Sequence, residues 1–182
     1  MVVFFKCRDS HLTSRYKNDT ILTMRTAILY YSKHGATRKI VDRLAGEIGG
    51  DSVSVFNIKQ ARNPNLAQYD AIIIGTPIYA GHALPEIRRF CQLHEQELLS
   101  HQLGLFISCL NEDPAVQQQQ LRGAYSPALL DAARVSASLG GELQFEKLSF
   151  LEKNIIRAVT KNSEDVHAIN NEAIIAFAKH FS

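Results

Sequence analysis

No run of apolar residues in this chain approaches the roughly 20 that carry a helix across a bilayer, so a membrane-spanning helix is not expected. Charge of one sign is equally scarce. Twenty Lys and Arg against eighteen Asp and Glu leave a net +2, and no basic stretch is interleaved with aromatics, which argues against nucleic acid as a partner. The three cysteines, Cys7, Cys91 and Cys109, are odd in number and far apart. That excludes a disulfide frame and points to a reducing, cytoplasmic setting. His82, His94 and His101 lack ligand partners at metal spacing, so no metal is expected. Absent too are a Gly-x-Ser-x-Gly elbow, a paired-carboxylate constellation, a Walker loop and the three glycines of the dinucleotide fingerprint.

At 182 residues, with 46% hydrophobic and 21% charged, the chain suits one globular domain with a sizeable core. Its first 23 residues do not share the pattern that follows, and Met24 stands just before the first convincing strand. The expected organisation is therefore an N-terminal extension over 1–23, disordered or not native, and one domain over 24–182. The domain begins with strand 26–31, the loop Ser32-Lys33-His34-Gly35-Ala36-Thr37, and a helix whose apolar side is Ile40, Val41, Leu44 and Ile48. A helix N-terminus offers unpaired N–H groups and partial positive charge. Gly35 permits close backbone approach, Ser32 and Thr37 add hydroxyls, and phosphate is the natural guest.

Further strands are expected at 51–58, 69–75, 103–108 and, broken at Gly140-Gly141, 135–145. A loop over 76–84 leads to a helix opened by Pro85; helical pattern also runs from Pro114 to near Arg134. Asn162-Ser163-Glu164-Asp165 reads as the cap of a last helix lined by Val166, Ile169, Ala173, Phe177 and Phe181. Strand and helix alternate, which predicts an α/β fold: a doubly wound five-stranded parallel sheet, order 2-1-3-4-5, with helices on both faces. In such sheets ligands sit outside the carboxyl ends of the strands, and loops 32–37, 76–82 and 108–111 leave those ends.

The first loop is similar to the flavodoxin phosphate loop, Ser/Thr-x-Ser/Thr-Gly-x-Thr, with Ser32, Gly35 and Thr37 matching and His34 standing where a hydroxyl is usual. With Tyr69-Asp70-Ala71-Ile72-Ile73-Ile74-Gly75-Thr76-Pro77-Ile78-Tyr79-Ala80-Gly81-His82 and the late Gly140-Gly141-Glu142-Leu143 and Leu151-Glu152-Lys153, the chain resembles the flavodoxin family, and within it the quinone-linked protoporphyrinogen dehydrogenase type. The resemblance implies FMN, its phosphate held by Ser32, Lys33, His34, Gly35, Ala36 and Thr37. It implies a flavin ring between Thr76, Pro77, Ile78, Tyr79, Ala80 and Gly81 on one side and Ser108, Cys109, Leu110 and Asn111 on the other. Tyr79 is the expected stacking or ribityl contact, and His82 the acid/base candidate. The third loop carries no aromatic, which would leave one flavin face open to substrate.

Two further expectations follow from that resemblance. The activity is passage of electrons from a reduced, porphyrinogen-like substrate through FMN to a quinone. An inserted segment near 145–163 carries Leu148, Leu151, Ile155 and Val159 on one side of a helix and Lys153, Arg157 and Lys161 on the other. It would pack on the core as an ordinary surface helix, or else meet a membrane surface, on the inner face of the cell membrane, through 148–161, or roof the substrate site. The rival readings are an electron-transfer flavodoxin with no small substrate of its own, and a flavodoxin-like domain that has lost FMN. The near-neutral charge favours the enzyme, because shuttle flavodoxins are usually strongly acidic.

Overall fold

A computed structural model describes residues 24–61, 63–148 and 165–182. The expected extension over 1–23 and most of the inserted segment 145–163 lie outside the described residues.

Five parallel strands form the sheet. β1 (Thr26–Tyr30), β3 (Ala71–Tyr79) and β5 (Gln102–Ser108) lie at its centre, and β2 (Val53–Asn57) and β6 (Ala133–Ser138) form its edges, in the order β2-β1-β3-β5-β6. This is the predicted 2-1-3-4-5 order; the labels shift only because a short strand, β4 (His82–Ala83), pairs antiparallel with the end of β3. The central strands are the continuous apolar runs of the sequence and are buried on both faces, whereas β2 is half-buried throughout.

Helices cover both faces. On one, α1 (Ala36–Ile48) and α6 (Asn171–Ala178) pack Ile40, Leu44, Ile174 and Phe177 against Ile28, Ile73 and Phe106. On the other, α2 (Pro85–Leu93), α3 (Glu95–Leu98), α4 (Pro114–Ala124) and α5 (Pro127–Ala132) pack Ile87, Leu98, Leu121 and Leu129 against Leu29, Ile72, Ile74 and Leu105. Proline opens three of these helices, where its missing N–H costs nothing. At Gly75 a Cβ would lie 2.0 Å from the Phe106 ring, so glycine is what lets that ring cross β3. Tyr125 ties β3 to β5, its buried hydroxyl lying 2.9 Å from the carbonyl of Ile74 and 2.7 Å from that of Phe106.

Three expected boundaries move. The third strand does not stop at Gly75 but runs on to Tyr79. Pro77 is tolerated because the β1 register ends at Tyr30 opposite Gly75, leaving no ladder partner for the missing N–H on that side. The late strand expected over 135–145 is two elements: β6 ends at Ser138, and β7 (Gly140–Leu143) leaves the sheet to pair antiparallel with β8 (Val166–Ile169). Val166 and Ile169 therefore belong to a strand, not to the last helix. Val-His-Ala-Ile satisfies its backbone on β7, and Asn170, not 162–165, caps α6 by accepting a 2.9 Å bond from the N–H of Ala173.

Candidate functional site

The first loop is shaped around Gly35. Its φ of 99° is the left-handed conformation that favours glycine, and it is the N-cap of α1 without a side-chain cap bond to the helix. Ser32 accepts the Gly35 N–H at 3.0 Å, which tightens the turn. Thr37, in the first turn of α1, is 1% exposed, and its hydroxyl has no hydrogen-bond partner among the described residues. A buried hydroxyl left so costs about 1–3 kcal/mol. The N–H groups of that turn have no intrahelical acceptor either.

The second loop is a hairpin. Ala80 and Gly81, between paired Tyr79 and His82, both have positive φ, 48° and 82°, as a two-residue type I′ turn requires. Tyr79 is gripped by the first loop: the Lys33 ammonium lies 5.8 Å above its ring, and the His34 ring meets it edge-on at 5.8 Å. The two loops are thus packed on each other before any ligand arrives.

In the third loop Ser108 and Cys109 are buried, and Leu110 is 38% exposed. The Cys109 thiol sits 3.2 Å from the Ser138 hydroxyl. Asn111 is spent on the turn: its side-chain oxygen accepts the Asp113 N–H at 2.9 Å, and its carbonyl accepts the Gln117 amide at 2.8 Å.

These loops surround a cavity of about 330 Å³ at the carboxyl ends of β1, β3 and β5. Of the residues expected at the site, Lys33, Ala36, Pro77, Ile78, Tyr79, Ala80, Ser108, Cys109 and Leu110 line it. Ser32, His34, Gly35 and Thr37 sit beside it in the turn and first helical residues that hold Lys33 and Ala36. Thr76 is fully buried within β3, and Gly81 and Asn111 are exposed in their turns outside the lining. His82 is exposed on β4 and is not part of the wall.

Sequence reasoning missed the fourth wall, which Gly141, Glu142, Leu143 and Leu148 build with Leu84 on the hairpin side. The signal was the double glycine. A Cβ at Gly140 would stand 2.0 Å from the Ala168 carbonyl oxygen, and one at Gly141 would stand 3.1 Å from the Cys109 backbone. The pair therefore marks a close approach of β7 to both β8 and the third loop. Glu142 fixes this wall to α1: one carboxylate oxygen is 2.6 Å from the Lys39 ammonium, and the other accepts from Gln144 at 2.7 Å and lies 2.8 Å from His167 Nδ1. Burial alone would push the Glu142 carboxyl up, but the bonds from Lys39 and Gln144 and the charges of Lys39 and His167 outweigh it and hold the group below the usual carboxylate range.

Among the described residues no helix is long and apolar enough to cross a membrane, and no group of three or more His, Cys, Asp or Glu could hold a metal ion.

A model of the flavodoxin domain matches residues 27–169. The chain is 24% identical, over 77% of its length and 81% of the relative's, to the protoporphyrinogen IX dehydrogenase [quinone] of Escherichia coli K12. It is 22% identical to the protein of that name from Leishmania major, over 74% of this chain and 61% of the other. Among solved structures, flavodoxin 1 of Bacillus cereus superposes with a TM-score of 0.51 at 17% identity, covering 86% of this chain and 95% of that one. A flavoprotein from Bacteroides eggerthii gives 0.53 at 16%, covering 87% and 98%. These two likenesses establish the fold alone.

Proposed function

The chain belongs to the flavodoxin family, and on that premise we propose that it is an FMN-dependent oxidoreductase that takes electrons from a reduced, porphyrinogen-like small molecule and passes them to a quinone. The observation that carries the cofactor is Thr37, a buried hydroxyl with no partner among the described residues, in an uncapped helical turn entered through a positive-φ glycine. A phosphate would take the Thr37 and first-turn donors at once, so the residues present fit the group. The substrate class and the quinone rest on the names of the curated relatives.

FMN, when bound, supplies a ring system that accepts two electrons and returns them to a second reactant. The chain's own part is to bind, orient and shield it. Ser32, Gly35, Ala36 and Thr37 with the flanking Lys33 and His34 would hold the phosphate end. Pro77, Ile78, Tyr79 and Ala80 on one side and Ser108, Cys109 and Leu110 on the other would flank the ring, and the backbone N–H groups of the hairpin turn would be the donors nearest to charge that develops on it. Leu84, Leu143 and Leu148 exclude water, while half-exposed Leu110 leaves an apolar approach for a flat reactant. His82, solvent-facing beside the hairpin turn, is the group to exchange a proton with water near the mouth.

Two measurements test this reading. Purified protein mixed with FMN and freed of excess is expected to retain one equivalent, seen as two flavin bands between 300 and 600 nm on the order set by the free cofactor. It should then oxidise protoporphyrinogen anaerobically with menaquinone as acceptor. No retained flavin sinks the cofactor; retained flavin without quinone-dependent turnover makes the protein an electron-transfer module.

A further inference from the structure

A second, larger cleft lies on the α2 side of the sheet, and the fold explains why it is open. A parallel crossover ordinarily carries a helix that covers the sheet. The crossover from β2 to β3 holds, among its described residues, only the single 3₁₀ turn Leu66–Gln68. Cover over β2 on this face is correspondingly thin: all five of its residues are half-buried.

The resulting cleft has a volume of about 560 Å³, within the range of small-molecule sites. Its floor is apolar, made by Ile58 at the end of β2 and Phe90 of α2, and Leu93 stands at its rim 72% exposed. Tyr31 and His94 add ring surface. The His94 ring is fixed, stacked on Phe90 at 4.5 Å with its Nδ1 3.0 Å from the Glu97 carboxylate. Two cations from different elements, Lys59 after β2 and Arg89 on α2, line it together with one acid, Glu86. No ion pair joins either cation to an acid among the described residues.

We propose that this cleft binds a flat aromatic small molecule bearing a carboxylate or sulfonate, at a site separate from the cofactor cavity. The two cations take the anionic group, and the rings with Leu93 cover the aromatic body. Tyr31 immediately precedes Ser32, so occupancy of the cleft also restrains the entry to the first loop.

The test is calorimetric titration of the full chain with 8-anilinonaphthalene-1-sulfonate, with FMN present and absent. One-to-one binding that survives FMN is expected. Lys59→Ala with Arg89→Ala should weaken it about tenfold, Leu93→Ser severalfold, and Glu86→Gln should tighten it about twofold. The uncharged analogue N-phenyl-1-naphthylamine should bind the wild type and the double variant alike. All four side chains are exposed, so the variants should keep the wild-type melting temperature; if the double variant does not, Arg89→Gln alone replaces it. Binding abolished by FMN, binding unmoved by loss of the cations, or equal losses for the neutral analogue would overturn the proposal.

Discussion

Replacing Glu142 by Gln removes a charge from the hub that joins β7 and β8 to α1, and the structure sets the size of the effect. The side chain is 4% exposed and makes contacts with Lys39, Gln144 and His167 at 2.6–2.8 Å. Hydrogen bonds to a charged group contribute about 1.5–3 kcal/mol when both ends are buried, but Lys39 is 46% exposed, so solvent screens its share. A loss of about 1–2 kcal/mol at pH 7 is expected, which lowers the melting temperature by roughly 2–8 °C for a domain of this size. The pH dependence has a definite sign. The folded-state pKa is lowered, so the contribution is fully present above the unfolded value of about 4.3 and is lost as pH falls through the lowered folded value. Urea melts of wild type and Glu142→Gln should therefore differ at pH 7 and converge toward pH 3. Lys39→Met, alone and combined with Glu142→Gln, completes a double-mutant cycle with an expected coupling of about 0.5–1 kcal/mol. A gap that persists unchanged at pH 3, or a coupling of zero, would refute the hub.

Thr37→Val should be neutral or stabilising by about 1 kcal/mol without FMN, because it removes a buried hydroxyl with no partner among the described residues, and should weaken FMN binding about tenfold; melting curves and FMN titration read the two effects separately. Gly75→Ala should cost about 3 kcal/mol or more in urea unfolding, since the new Cβ would meet the Phe106 ring at 2.0 Å, and Phe106→Leu should recover part of the loss. Tyr125→Phe should cost about 1–2 kcal/mol by the same measurement. The Cys91 thiol, which burial pushes up to about 12, should stay unreactive to thiol reagents at pH 8 until the protein unfolds.

The parts of the fold that could be read from the chain are those in which local pattern and tertiary environment demand the same thing. Ile72, Ile73 and Ile74 are apolar because both sheet faces are covered, and Ile40, Leu44 and Ile48 recur because α1 has one dry side. Three of the cavity's walls were legible for the same reason, being loops fixed by the strands they leave. The late region was not. Val166 and Ile169 sit three apart, the spacing of a helix face, and what overrides that pattern is a partner strand, β7, distant in sequence. Glu142 carried no local mark at all. Its place depends on Lys39, 103 positions earlier, and on His167 across the small sheet.

That small sheet changes how the cavity is closed. In many flavodoxins an aromatic from the third loop covers the flavin, whereas here 108–111 has none and the wall beside it is built by β7. The close approach of Gly141 to Cys109, with the Cys109 N–H donating to the Gly140 carbonyl at 3.0 Å, makes the third loop and β7 one surface. The Glu142 hub then ties that surface to Lys39, two residues beyond Thr37 in the same helix. A disturbance at Glu142 should accordingly reach the cofactor through two routes, the wall and the helix. Glu142→Gln is expected to loosen FMN severalfold even at temperatures where the fold is intact, and unchanged affinity in titrations at pH 7 would separate the hub's structural role from the site.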